Sequence, residues 1–295
     1  MRLFSLARRL LLTALALPLL NVAASQEVTI FYTNDIESVY DPVDAFWLAD
    51  VQEIGGLAKL AALIDHKRSK VPLSFLLDAG DMFTGSLSKA TQGRLVFDLY
   101  SEIGFDAVNL GNHEFEYGWQ LLHKVMQRAR FPVLNANIFY AGSQIPFARQ
   151  FSILKRGGVS IGVIGLMGED AFINTMMKVN RDGLEIREPL ASAQYWVDEL
   201  SPQVDMVILL THQGKTAPMQ TDKEADPEVQ RGIADDYELA GAVRGVDLIV
   251  SGHSDNGLWQ PVIHPQTGTV IVQTFGQGKH LGVAKFALAK AARPK

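Results

Sequence analysis

The chain has no cysteine. That excludes disulfides, thiol catalysis, iron–sulfur clusters, zinc–thiolate sites and a lipid-modified N-terminal cysteine. Apolar packing alone must hold the fold, and a 47% apolar composition allows it. Positive charge is also in deficit, with 27 lysines and arginines against 32 acids, which disfavours nucleic acid as a main partner. No stretch after residue 24 is long and apolar enough to cross a bilayer. The sequence shows no internal repeat and no low-complexity tract.

What is present begins with an address. Arg2, Arg8 and Arg9 precede an apolar run from Leu10 to Ala24, broken only by Thr13, Pro18 and Asn21. Small residues follow, with Ala23 and Ser25 fitting a cleavage point after Ser25. Residues 1–25 therefore read as a secretory signal peptide. The competing reading, a membrane anchor, needs roughly 20 apolar residues, and this run is shorter and holds a proline. Cleavage removes three arginines and no acid, moving the formal charge from −5 to −8. The remaining residues, 26–295, are expected in the periplasm or outside the cell as one large domain or two small ones.

Along that mature chain, strand, turn and helix alternate. Val28 to Tyr32 reads as a buried strand ending in Thr33-Asn-Asp-Ile-Glu37, and residues 41–53 read as a loop. Leu57, Leu60, Ala61, Leu63 and Ile64 recur at helical spacing within 57–70, and a strand over 73–77 then delivers Asp78-Ala-Gly-Asp81. A helix over 95–103 precedes a third strand, and 118–130 reads as another helix. Residues 132–137 read as a strand, and 151–154 with 159–166 as a hairpin turning at Lys155-Arg-Gly-Gly158. After a polar segment without pattern come a helix over 189–200, a strand over 204–210, a charged excursion over 215–238 and a strand over 246–250. The excursion, with Asp235, Asp236 and Glu238, reads as a mobile solvated flap. The tail over 261–287 is strand-rich.

The stretch from Val108 to Gly118 organises the rest. An apolar strand meets Gly111, and an amide, an imidazole and two carboxylates follow within five residues. Ordinary turn chemistry would account for Asn112-His113 taken alone. Yet five strands end in this way, at Asp35/Glu37, Asp81, Asn112/His113, His212 and His253/Asp255. Open α/β sheets collect ligands at the carboxyl ends of their strands, and these oxygen and imidazole donors suit divalent metals without sulfur. Two neighbouring ions need about seven or eight such ligands, one of them a carboxylate touching both. Asp81, flanked by glycine, is the best candidate for that bridge.

The ordered series Thr33-Asn-Asp35, Gly55-Gly-Leu-Ala-Lys-Leu60, Asp78-Ala-Gly-Asp81, Leu110-Gly-Asn-His-Glu114, Thr211-His212 and Ser251-Gly-His253 resembles the calcineurin-like metallophosphoesterases, and within them the 5′-nucleotidase branch. The resemblance runs from about Val28 to Ala287. It implies an α/β fold, a four-layer α/β/β/α sandwich, with a two-metal hydrolytic site. One ion would be held by Asp35, Glu37, Asp81 and Asp255, the other by Asp81, Asn112, His212 and His253. His113 matches the catalytic histidine, and Glu116 stands where the family usually has an aspartate that orients it. Glu37 replaces a family histidine, and Asp255 a histidine, glutamine or asparagine. The first site would then be all carboxylate and favour a hard ion (Mn²⁺, Mg²⁺ or Ca²⁺), while the second admits Zn²⁺, Mn²⁺ or Fe. Four carboxylates neutralise two dications, where the usual family set leaves about +2, so a phosphate dianion would be held less tightly.

The expected chemistry is attack on phosphorus by a hydroxide bridging the two ions, with His113 assisting the leaving oxygen. Phosphate esters, 5′-nucleotide-like monoesters first, are the expected substrates, which would place the protein in nucleotide catabolism. A phosphodiesterase, cyclic-nucleotide or other, and a sulfur-ester hydrolase are the alternatives on the same frame. A metal-binding protein with reduced turnover is the alternative from another class. The nucleoside-binding C-terminal domain of family nucleotidases has no counterpart in these 295 residues. Substrate choice would fall to the loops 37–53, 168–188 and 215–238 or to a partner. His66, His123, His264 and His280 read as solvated, and Trp47, Trp119, Trp196 and Trp259 as packing, with a cleft-lining place the alternative for Trp259.

Overall fold

The computed structural model describes residues 25–214 and 233–289. In chain order the strands are β1 (Ser25–Thr33), β2 (Val43–Asp44), β3 (Glu53–Ile54), β4 (Ser74–Asp78), β5 (Ala107–Asn109), β6 (Val133–Leu134), β7 (Ile138–Tyr140), β8 (Phe151–Arg156), β9 (Val159–Met167), β10 (Leu184–Ile186), β11 (Met206–His212), β12 (Leu248–Gly252), β13 (Val262–Ile263), β14 (Val270–Val272) and β15 (Gly282–Ala289). The helices are α1 (Leu57–Arg68), α2 (Gly85–Thr91), α3 (Arg94–Ile103), α4 (Trp119–Val125), α5 (Lys178–Arg181), α6 (Pro189–Leu200) and α7 (Ala234–Ala242).

Two sheets dominate. One runs β15-β1-β4-β5-β6, parallel except for β15; the other runs β13-β14-β12-β11-β9-β8, parallel except for its two edge strands. Side-chain alternation along each strand explains the layering. In β1 and β4, Ile30, Phe75 and Leu77 face the second sheet, whereas Phe31 and Leu76 face the helices α1 and α3. In β11, Ile208 and Leu210 face the first sheet, whereas Val207 and Leu209 face α6 and α7. Strands buried on both faces need helices outside and a sheet inside, and the result is the expected α/β/β/α sandwich. Leu76 is fully buried in this arrangement, and truncating it to alanine is expected to cost about 2–5 kcal/mol.

The helices follow local rules. α1 presents Leu57, Leu60 and Ile64 to the sheet and ends in His66, Lys67 and Arg68, whose charges complement the carbonyl end of the helix. α6 starts at Pro189, with the Glu188 carboxylate accepting from the N–H groups of Leu190 and Ala191.

Several expectations need correction. Residues 41–53 contain most of a small hairpin, because Ala45 and Gln52 join their backbones and bring β2 against β3. The segment 168–188 is not patternless. It holds a π-helical turn (Ala171–Thr175), α5 and β10, which pairs with β7. The acids of the expected flap lie on α7, and Asp236 is fully buried there. The remainder of that flap (215–232) and the expected signal peptide, apart from Ser25, lie outside the described residues. His264 is buried against Tyr237 and accompanied by the Thr267 hydroxyl, and His280 is half-buried beside Trp259 and Phe275. Trp119 and Trp196 pack as expected, whereas Trp47 and Trp259 lie at the surface, the first against Phe46 and the second against Phe275 and His280. Among the described residues no helix is long and apolar enough to cross a membrane.

Candidate metal centre

The carboxyl ends of β1, β4, β5, β11 and β12 open onto one rim, and these strand ends and the turns that follow them carry all the expected site residues. The turns are unusual in their backbone. Eight non-glycine residues among those described have positive φ, and five of them are Asp35, Glu37, Asp81, His253 and Asp255, at 49° to 81°. Such conformations persist where surrounding structure over-determines them, commonly at functional sites. Glycines let the turns approach. A Cβ on Gly111 would collide with Asp81 Oδ1, and one on Gly80 would lie 2.6 Å from the Gly111 nitrogen.

At the centre, Asp81, His212 and His253 place one ligand atom each within 4.8 Å of one another, all buried. Asn112 joins them, its Oδ1 lying 3.1 Å from His212 Nε2 and 2.8 Å from His253 Nδ1. His212 Nδ1 donates to the Ala79 carbonyl at 3.0 Å, which leaves Nε2 to face Asp81 Oδ2 at 3.0 Å. Asp35 lies alongside, 3.9 Å from His212 Nε2, and both its oxygens accept from the His253 backbone N–H. On the outer side, Glu37 reaches His113 Nε2 at 3.7 Å and the Gln277 amide at 3.4 Å. Asp255 is the third acid there and borders Gly276.

This donor set fits divalent ions. Asp255 Oδ1 is a buried atom without a hydrogen-bond partner, a costly state that a bound cation would relieve. Electrostatics agree. Burial, the largest influence on each, raises Asp35, Glu37 and Asp255, the last to about 7, and neighbouring acids raise them further. Burial opposes charge on His212 too, but Asp81 and Asp35 outweigh it and lift the ring to about 10. Burial likewise works against charge on Asp81, yet His212 holds that carboxyl below its usual range. His253, buried beside the charged His212, falls to about 4 and offers a neutral nitrogen. The opposite shifts of His212 and Asp81 are those of an ion pair, with the imidazole facing the carboxylate at 3.0 Å.

His113 sits at the edge with 37% of its side chain exposed, and its backbone N–H donates to Asp81 Oδ1 at 2.8 Å. Its Nδ1 lies 3.5 Å from Glu116, whose carboxylate also accepts from the Thr84 hydroxyl. Burial works against charge on this ring, but Asp81, Glu37, Glu114 and Glu116 together raise its pKa.

The calcineurin-like phosphoesterase family model matches residues 45–256. The chain belongs to the calcineurin-like phosphoesterase family. Its fold, a mixed α/β sandwich with parallel sheets, is that of its solved neighbours. The 5′-nucleotidase of Rattus norvegicus is 29% identical over 310 residues, covering 95% of this chain and 50% of the relative. The crystal structure of a 5′-nucleotidase precursor from Thermus thermophilus superposes with a TM-score of 0.73 at 26% identity, covering 88% of this chain and 51% of that one. The calcineurin-like phosphoesterase YfkN from Bacillus subtilis superposes with a TM-score of 0.71 at 25% identity, covering 91% and 87%. The chain spans about half the length of the curated relatives it matches. The family implies divalent metals, and the compact Asp81–His212–His253 group is where these residues could hold one.

Residues of the centre that sequence reading passes over are the supports. Asn34 holds Asp35 at 2.6 Å and accepts from the Thr274 backbone N–H at 2.7 Å. Fully buried Asp78 accepts from Thr33, the Gly80 N–H and Tyr100. Asp236 accepts from Gln213 and Ser251, so it ties together the strands that end in His212 and His253. Asp78 and Glu114 stand in plain view inside the motifs; the available signal is a carboxylate within three residues of the glycine that follows an apolar strand.

Proposed function

We propose that this chain is the catalytic domain of an exported metal-dependent phosphoesterase acting on 5′-nucleotide-like phosphomonoesters. The observation that carries the reading is the meeting of Asp81, Asn112, His212 and His253 in one buried cluster beside the half-exposed ring of His113. The nucleotidase relatives support the substrate class. One ion would be held by Asp81, Asn112, His212 and His253, the other by Asp35, Glu37, Asp81 and Asp255. Divalent ions bound there supply Lewis acidity, lowering the pKa of water and neutralising charge on phosphoryl oxygens.

The protein's own groups do the rest. His113, whose pKa its acidic neighbours raise against the effect of burial, would donate its proton to the leaving oxygen. Cations on Asp81 and Glu37 would cancel most of those acids' pull, so Glu116, held by Thr84, is the carboxylate that continues to orient the ring. The all-carboxylate side would favour Mn²⁺, Mg²⁺ or Ca²⁺, and the imidazole side would accept Zn²⁺, Mn²⁺ or Fe. A signal peptide over residues 1–25 places the domain in the periplasm or outside the cell.

One observation favours a second reading. Glu37 and Asp255 stand on the same side of the centre, and after burial it is the charge of Glu37 that does most to raise the Asp255 carboxyl. A nearly neutral two-metal site suits a phosphodiester better than a dianionic monoester. Hydrolysis of an aryl phosphate and an aryl phosphodiester with added Mn²⁺, Mg²⁺ or Zn²⁺ tests both. Turnover abolished by chelator and restored by metal is expected, and the monoester/diester ratio ranks the two substrates. Metal uptake without turnover of either ester would leave a binding protein and overturn the enzymatic reading.

A further inference from the structure

The loop that carries Asn112 and His113 also carries Glu114, a fully buried carboxylate turned toward backbone rather than toward the donor cluster. Its Oε2 accepts from the backbone N–H groups of Asp81 at 2.9 Å and Gly111 at 2.5 Å. Its Oε1 accepts from those of Met82 at 2.7 Å and Phe83 at 3.1 Å. Three consecutive N–H groups of the β4 turn and one of the β5 turn therefore converge on a single side chain. Successive N–H groups pointing into one concavity form an anion nest, and here the protein supplies the anion itself. Both oxygens are saturated by these bonds, so Glu114 has no lone pair directed at a metal.

We propose that Glu114 is a positioning residue that locks the turn of the bridging Asp81 to the turn of Asn112 and His113, and so sets the spacing on which paired metal binding depends; this rests on the metal-centre reading above. The lock explains why Asp81 can hold φ at 57°, since its own N–H is captured by Glu114 while its Oδ1 accepts from His113 N–H. An amide cannot replace the carboxylate. The NH₂ of glutamine would face backbone donors and turn two of the four bonds into repulsions. Aspartate keeps the charge but falls one methylene short of spanning both turns.

The test loads purified protein with Mn²⁺ alone. Wild type is expected to bind two ions and to show the electron paramagnetic resonance spectrum of an exchange-coupled pair. Glu114→Gln is expected to bind Mn²⁺ about 10–100-fold more weakly and to show isolated-ion spectra, with kcat reduced and KM within about threefold. Asp106→Asn serves as the control for plain destabilisation. Asp106 accepts from the Leu76 N–H at 2.8 Å and binds Arg68 and Arg156 at the opposite end of the strands. Its loss should lower the melting temperature while leaving the coupled spectrum intact. Glu114→Asp should fall between wild type and Glu114→Gln. Should the glutamine variant not fold, hydrogen exchange in the metal-free wild type decides. The amides of Asp81, Met82, Phe83 and Gly111 are then expected to be protected together, and rapid exchange at these four positions would overturn the lock. A glutamine variant that keeps the coupled pair overturns it as well, without touching the metal-centre reading. A wild type that takes up no divalent ion overturns both.

Discussion

The two sides of the centre differ in construction as well as in chemistry. On the imidazole side, Asp81, His212 and His253 are buried, their ligand atoms already lie within 4.8 Å, and Ala79, Glu114 and Asp236 hold their turns from behind. On the carboxylate side, Glu37 and Asp255 are nearer solvent, and Glu37 is steadied by Gln277 and His113 at longer range. One side is preorganised, its donors already gathered. The other is an assembly of like charges that needs a cation to draw it together. Preorganised donors cost little to close on an ion, so the imidazole side should fill first and more tightly.

The comparison breaks most visibly at His113, which belongs to neither cage. His113→Ala is expected to lower turnover by about 10²–10⁴-fold while both ions stay bound, measured as rate per metal pair after elemental analysis. Loss of metal with normal turnover per remaining pair would move His113 into the cage.

Asp236 backs the imidazole side, and its buried carboxyl, against Ser251, Thr211 and Gln213, is raised by desolvation from 3.8 to about 6. The folded state therefore binds a proton more tightly than the unfolded state, so this group's contribution to stability is full below about pH 4 and lost as pH rises through 6. A shift of about two units corresponds to roughly 3 kcal/mol. In chelator-treated protein, Asp236→Asn should lack that part of the decline between pH 4 and 6, seen as a flatter dependence of denaturant midpoint on pH than in wild type.

Converting one side into the other sharpens the contrast. Under limiting zinc, wild type should retain about one Zn²⁺ per chain, and Glu37→His should raise the affinity of the second equivalent about tenfold or more. Two equally tight zinc sites in wild type, read by competition with a coloured chelator, would erase the asymmetry. The smallest effect is expected at Glu116. Glu116→Gln keeps the Thr84 contact but weakens the hold on the charged ring, and kcat should fall roughly tenfold with metal content unchanged.

Much of this centre is legible because its donors sit where short turns leave buried strands, and a strand of Val, Ile and Leu ending in Asp, Asn or His is visible in sequence without a partner. Val28–Tyr32 before Asp35 and Ile208–Leu210 before His212 are of that kind. The sandwich layers follow from the same strands, which are apolar on both faces. Burial of a polar side chain is different, since it depends on groups supplied from elsewhere in the chain. Asp236 lies in a run rich in charge and reads as solvated, yet Gln213 and Ser251 from two strands enclose it. His264 misleads for the same reason, with Tyr237 from α7 lying over it. Glu114 is spelled out in the motif, but its role requires knowing that the β4 and β5 turns present four N–H groups to one point.

The pairing of β1 with β15 has a further consequence. The strand that leads into Asp35 gains its outer neighbour only from residues 282–289, so the first sheet joins segments separated by almost the whole described chain. A ribosome making this protein would release Asp35, Asp81 and, from the second sheet, both imidazole donors before the strand that completes the first sheet. Until that last strand arrives, β1 presents an open edge. Timing of synthesis, then, leaves the outer edge of that sheet to be covered last.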